Sequence, residues 1–224
     1  MISDLRYLSF EVSQQCNLAA EHTFCPAATM LRSVTAVTDN QIATFAHEMV
    51  SRGFEGEIAW HYYNEPLTDV PRIESLMKAI DYNRFCLWTN GLLLTEEHLP
   101  LLRRHTSVIV TLHHPEDRPR LEKLLCGIPH ASICKAEYDD RIDIYGTSPR
   151  RDSRYCMRPV SIEMPVDYGG DVHLCCGDWK GTIPIGNIDT PNDTISRWLF
   201  MADLTGQLAL FRKCVSLYKG PFAG

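Results

Sequence analysis

The chain has 224 residues, 45% of them apolar and 22% charged, with 13 glycines and 13 prolines, which excludes fibrous, collagen-like and largely disordered proteins. Its 22 basic against 28 acidic residues, a net charge of −6, argue against a general nucleic-acid binder, and no run of about 18 apolar residues is present to span a membrane. A chain of this size buries roughly 70% of its unfolded surface without disulfide staples, so its nine cysteines, an odd number with no secretory signal before them, read as reduced thiols of a cytoplasmic protein.

Residues 7–12 alternate apolar and polar as a strand does, and a loop containing Cys, Pro and Ala follows over 13–37. Ile42, Phe45, Ala46, Met49 and Val50 then recur at helical spacing, with Asp39 as N-cap and Gly53 as the stop. A second strand runs from Glu57 to Tyr62, and Asp69 with Pro71 opens a helix carrying Ile73, Leu76, Met77 and Ile80. Residues 85–88 form a third strand, and Thr95, followed by two glutamates, caps a short helix ending near Arg104. The fourth strand is 107–112, followed by a charged helix over 118–125; extended segments near 132–137 and 141–145 add two more strands.

Strands alternating with helices predict parallel pairing, helices outside, and functional groups at the strands' C-terminal ends. An eight-fold closed barrel needs more chain than this, so the expected fold is α/β, an open partial (β/α) barrel. After Gly146 the character changes. A basic loop carries Arg150, Arg151, Arg154 and Arg158, residues 160–166 and 171–175 read as a hairpin turning at 167–170, and helices over 194–200 and 204–213 close the chain. The chain therefore divides into a barrel, 1–146, and a small hairpin-plus-helix extension, 147–224.

The four strand ends read Ser13-Gln14-Gln15-Cys16, Tyr63-Asn64-Glu65-Pro66, Thr89-Asn90-Gly91 and His113-His114, all polar or reactive. Cys16 and Cys25 have eight residues between them, a poor fit to zinc knuckles, whose paired cysteines are separated by about two to four. Thiolates at the mouth of a parallel partial barrel suit an iron–sulfur cluster instead.

On these residues the chain resembles the radical S-adenosylmethionine superfamily. That family places Cys-x-x-x-Cys-x-x-Cys after its first strand, Gly-Glu-Pro after the second and often Thr-Asn-Gly after the third. Here Cys16-Asn17-Leu18, Phe24-Cys25-Pro26, Asn64-Glu65-Pro66 and Thr89-Asn90-Gly91 follow in the same order within residues 5–115. There are two departures: Ala20 stands three residues after Cys16, with His22 three before Cys25, so the loop is two residues longer, and Asn64 stands where glycine is usual. The resemblance implies a [4Fe–4S] cluster on Cys16 and Cys25. Its third ligand is His22, since a neutral imidazole ligates iron in Rieske centres, or else Glu21; otherwise His22 is a capping or solvated residue. It further implies S-adenosylmethionine on the open iron, Asn64 and Glu65 at its amino group, Thr89 and Asn90 toward the ribose, Phe24 near the adenine, and His113 as a further contact or a plain strand terminus.

In the second half Cys156-Met157-Arg158-Pro159, the Cys175-Cys176 pair, Gly186-Asn187-Ile188 and Cys214 resemble the SPASM/twitch extension, which binds an auxiliary iron–sulfur cluster. Cys156, Cys175 and Cys214 match ligand positions. Leu217 replaces the closing cysteine, leaving Cys176, Asp178 or an open iron for the fourth position; alternatively Cys176 packs on the opposite face by strand alternation. Cys86, Cys126 and Cys134 read as small core residues. Arg151, in the basic loop between the two sites, is a candidate catalytic or substrate-holding residue, because guanidinium groups suit carboxylate, phosphate or hydroxyl-rich ligands.

The whole chain is most similar to the short, twitch-bearing dehydrogenases of the family, which oxidise an aminocyclitol alcohol to a ketone in natural-product biosynthesis. The implied chemistry is hydrogen abstraction from a small polar substrate by a 5′-deoxyadenosyl radical, the auxiliary cluster taking the second electron and a flavodoxin- or ferredoxin-type protein supplying the first. Radical modification of a peptide, and a non-catalytic barrel that has lost its cluster, are the alternatives.

Overall fold

A computed structural model describes residues 2–22, 25–29, 35–135, 163–176, 183 and 185–207. Phe24, Arg150, Arg151, Arg154, Cys156, Arg158, Asp178 and Cys214, the strand expected over 141–145 and the boundary expected at 147 lie outside the described residues.

The elements are β1 (Tyr7–Phe10), α1 (Pro26–Thr29), α2 (Asp39–Ser51), β2 (Glu57–Ala59), α3 (Val70–Ala79), β3 (Phe85–Thr89), α4 (Leu99–Leu102), β4 (Ser107–Leu112), α5 (Arg118–Leu125), β5 (Ala131–Lys135), β6 (Glu163–Val166), β7 (Asp171–Val172), β8 (Gly186–Asn187) and α6 (Pro191–Gln207). They form one eight-stranded sheet in the order β5-β4-β3-β2-β1-β6-β7-β8. The strands from β5 to β6 pair in parallel and the last two pair antiparallel, so the expected open α/β sheet is the one observed. No helix among the described residues is long and apolar enough to cross a membrane.

All four residues of β1 are buried, which requires hydrogen-bonded neighbours on both edges and cover on both faces. β2 supplies one edge and β6 the other, with Tyr7 opposite Glu163 and Phe10 opposite Val166. The hairpin expected to open the extension thus begins as a strand of the same sheet, and it turns over Asp167 to Gly170, where Asp167 N donates to Asp171 O at 2.9 Å.

Pleat alternation sorts the strands' side chains. Leu8, Phe10, Ile58, Leu87, Val108 and Val110 join Phe45, Met49, Ile73 and Leu76 of the helices in the main core. Tyr7, Ala59 and Cys86 form a second cluster, with Ile109 against it. Burial pushes the Cys86 thiol up to about 12, so it is an inert core group. Cys126 and Cys134 are exposed, against expectation. One follows the last turn of α5, and the other lies on β5, at the end of the sheet order.

The N-cap of α2 is Thr38 rather than Asp39. Thr38 Oγ1 accepts from Gln41 N at 3.2 Å while Gln41 Oε1 accepts from Thr38 N at 2.8 Å, a reciprocal box that Asp39, one residue on, cannot make with Gln41. Asp39 instead accepts from Arg72 Nε at 2.9 Å, tying α2 to α3. Asp69 caps α3 as expected, accepting from Arg72 N at 3.2 Å. The last helix is continuous from Pro191 to Gln207, with Ile195, Trp198 and Ala202 buried one turn apart.

Beneath the sheet lies a buried histidine that has no role in the site. His105 Nε2 accepts from Trp60 Nε1 at 3.2 Å and its Nδ1–H donates to Leu101 O at 2.9 Å, so both ring nitrogens are used by the neutral form. Burial lowers its pKa from 6.5 to about 4. The unfolded chain therefore takes up this proton between pH 6.5 and 4 and the folded chain does not; stability is full above 6.5 and is lost as pH falls toward 4. At about 1.4 kcal/mol per pH unit the loss is about 3 kcal/mol. Denaturant titrations across this window should show that slope in the wild type and its absence in His105→Phe.

Candidate active site

The loop leaving β2 closes on itself before it presents Glu65. Asn64 Oδ1 accepts from Tyr62 N at 3.0 Å and Nδ2 donates to Trp60 O at 3.2 Å, so the amide that stands in place of glycine braces the backbone of its own turn. Glu65 N donates to Gln15 O at 2.8 Å, across to the loop after β1. Glu65 is 2% exposed, and its carboxylate is enclosed by hydrogen-bond donors. Oε1 accepts from Thr89 Oγ1 at 2.6 Å and Leu67 N at 3.1 Å, and Oε2 from Asn90 N at 2.8 Å. Asn90 Nδ2 then donates to Asn17 Oδ1 at 2.8 Å. Three strand ends are thereby knotted around one buried carboxylate.

Its electrostatics point to a cation. Burial raises the Glu65 pKa, and the donors from Thr89, Asn90 and Leu67 oppose that shift only in part. All three are neutral, and a carboxylate has about four acceptor sites, so the group retains capacity for the N–H of a positively charged ligand. Thr89 and Asn90, expected toward a ribose, have their polar groups committed to Glu65, Gly91 N and Asn17.

Gly91 completes this strand end, and its identity has a steric cause. Its φ is +75° and a Cβ there would stand 2.6 Å from Val110 Cγ1, while Arg120 donates to the Gly91 carbonyl at 2.9 Å and holds the turn in place. Gly91→Ala should cost about 2–4 kcal/mol from the unfavourable backbone and the overlap together, read as a fall in thermal midpoint.

The loop after β1 carries the thiols. Cys16 and Cys25 are both half-buried. Burial pushes the Cys16 thiol up, the Leu18 backbone N–H opposes this, and the charge of Glu65 adds to it; a metal that binds there has to displace the proton. Cys25 packs against Tyr62, Tyr63 and Cys176, so the first loop and the hairpin meet at one pair of aromatic rings. Glu21 is exposed, and its Oε2 lies 3.2 Å from His114 Nε2. The His22 ring is buried 4.7 Å from that of His113. No three His, Cys, Asp or Glu side chains among the described residues converge as a single metal ion requires. A four-iron cluster sets a different condition, since each ligand binds its own iron, and the donor types it takes, thiolate and imidazole, are present on this one loop in Cys16, Cys25 and the buried His22.

Cys175 and Cys176 are both buried, and Tyr63 Oη donates to Cys176 O at 2.5 Å. Cys176 lies against Tyr62 and Tyr63, in keeping with a packing role for one of the pair. Asn64, Glu65, Thr89, Asn90 and Cys16 are drawn together at adjoining strand ends. His22 and His113 form a pair, and Cys25 and Cys176 another contact.

Two buried acids escaped the sequence reading. Glu11 accepts from Tyr63 N and Tyr168 N, each at 3.2 Å, joining the loop after β2 to the hairpin turn. Glu163 accepts from Ser9 Oγ at 2.8 Å, with His61 Nε2 4.0 Å away. The available signal was a charged residue set between Phe10 and Val12 in an apolar strand, since such a residue is buried only with partners.

No family model matches the chain. It is 25% identical over 196 residues, 81% of this chain and 77% of the relative, to an S-adenosyl-L-methionine-dependent 2-deoxy-scyllo-inosamine dehydrogenase of Niallia circulans. The crystal structure of BtrN in complex with AdoMet and 2-DOIA matches at a TM-score of 0.71 and 21% identity, covering 94% of this chain and 91% of that one. BtrN in an open conformation matches at 0.59 and 22%, covering 90% and 86%. The structure of anSMEcpe with bound AdoMet matches at 0.62 and 14%, covering 94% and 88%. These structures share the fold, and the curated relative matches over most of the sequence. With two cysteines after the first strand, Glu65 after the second and Thr89-Asn90-Gly91 after the third, the chain resembles the radical S-adenosylmethionine superfamily in the order of its motif residues and is similar to these proteins in fold.

Proposed function

We propose that the chain is a dehydrogenase that consumes S-adenosylmethionine and oxidises one alcohol of an aminocyclitol, or of a similarly small ring bearing amines and hydroxyls, to a ketone. The observation that carries this reading is the Glu65 carboxylate, buried among three neutral donors at the joined ends of β1, β2 and β3. A ligand ammonium supplies the positive charge this site lacks in its hydrogen-bond partners. The dehydrogenase activity of the Niallia circulans relative on 2-deoxy-scyllo-inosamine supports the reaction and the substrate class.

Cys16 and Cys25 would hold a [4Fe–4S] cluster, and that group, when bound, supplies the single electron that cleaves S-adenosylmethionine. The chain's own task is placement and exclusion of water. Glu65 accepts from the amino group, Thr89 and Asn90 fix the carboxylate's two oxygens, and Asn90 carries the same restraint to the cysteine loop through Asn17. Cys156, Cys175 and Cys214, with Cys176 as a fourth candidate, would hold an auxiliary cluster that accepts the second electron. His113 and Arg151 remain candidates for substrate contact, Phe24 for adenine contact, and a flavodoxin- or ferredoxin-type protein for the reductant.

Anaerobically reconstituted protein, given S-adenosylmethionine, dithionite and 2-deoxy-scyllo-inosamine or related aminocyclitols, should release 5′-deoxyadenosine and a ketone in equal amounts. Iron-loaded protein that releases no 5′-deoxyadenosine with any of them overturns the proposal, and release only with a peptide moves the substrate to the other class.

A further inference from the structure

We propose that His22 replaces the middle cysteine of the family as an iron ligand, beside Cys16 and Cys25, with His113 holding the orientation of its ring. This rests on the cluster proposed above. The loop's backbone shows how the two additional residues are accommodated. Ala19 N donates to Cys16 O at 3.1 Å, Glu21 N and His22 N both donate to Leu18 O at 3.0 and 2.9 Å, and Cys25 N donates to His22 O at 2.8 Å. The additional length is wound into a helical turn that ends at His22, and the last of these bonds ties the backbone of His22 directly to that of Cys25.

The side chains of that turn point in different directions. Ala20 is exposed and has no donor atom. Glu21 is exposed, with its carboxylate beside His114. Asn17 Oδ1 accepts from Asn90, and Leu18 is an apolar core residue. His22 is 7% exposed and its ring lies against that of His113, which follows the end of β4 at the barrel mouth. Among the described residues between the two cysteines it is the one whose ligand-forming side chain is buried. A neutral imidazole nitrogen binds iron at sites where thiolates also bind, and the His113 ring, packed 4.7 Å from that of His22, restricts its rotation sterically. Exchanging a thiolate for a neutral ligand makes the cluster less negative and raises its reduction potential.

The test uses full-length protein reconstituted with iron and sulfide, reduced, and free of S-adenosylmethionine, whose own nitrogen would couple to the cluster. Pulsed EPR of the wild type should show a strongly coupled ¹⁴N, which His22→Cys should abolish while keeping the full iron content and shifting the potential downward. His22→Ala should lose about four irons per chain, one cluster's worth. Iron-loaded wild type without that coupling, or His22→Cys with an unchanged spectrum and potential, overturns the ligand assignment alone. Wild type that takes up no iron overturns both this assignment and the proposed function.

Discussion

Glu65→Gln is expected to weaken S-adenosylmethionine binding by roughly 30- to 1,000-fold, the range set by removing one partner of a desolvated, hydrogen-bonded charge pair. Two effects add. The charge that would meet the ligand's ammonium is gone, and the new amide must turn its N–H toward either Asn90 N or the Thr89 and Leu67 donors, all of which now find an acceptor. Equilibrium binding to the reconstituted protein measures the first effect, and thermal melting of the same variant isolates the second. The raised pKa of Glu65 adds a signature that a merely structural carboxylate would not give. A bound cation favours the ionised form, so binding should release a proton where free Glu65 is protonated, and affinity should fall as pH drops through its raised pKa. Calorimetry in buffers of different ionisation enthalpy counts that proton; equal proton release by wild type and Glu65→Gln would remove Glu65 from the ligand site.

The second large effect is expected at Cys16. Cys16→Ala should remove about four irons per chain and lower 5′-deoxyadenosine formation by at least about a thousand-fold, because a cluster stripped of one of its few protein ligands has no comparable site to move to. Cys86→Ala and Cys126→Ser serve as contrasts. The first removes a buried group whose thiol is held protonated, and the second an exposed one, so both should keep the wild-type iron content. Iron and sulfide analysis with the visible charge-transfer absorbance distinguishes the three variants. Retention of full iron by Cys16→Ala would place the first cluster on other residues.

The order of elements was legible in the sequence because each rests on local periodicity. The strand at 107–112 and the helix at 118–125 coincide with β4 and α5, and Asp69 caps α3 as its position before Pro71 suggests. The motif residues were legible for a related reason: in a parallel sheet the C-terminal strand ends lie on one side, so Cys16, Glu65 and Asn90 gather there once the strands are found. What those side chains touch was not legible. That Thr89 and Asn90 clasp Glu65, that Glu11 joins the loop after β2 to the hairpin turn, and that β6 lies beside β1 are pairings across 24, 25, 157 and up to 156 positions of sequence. Local patterning determines which segments become strands and where their reactive ends fall; the partners of a buried charge are chosen only when desolvation makes every unpaired polar group costly, and that choice is made in three dimensions.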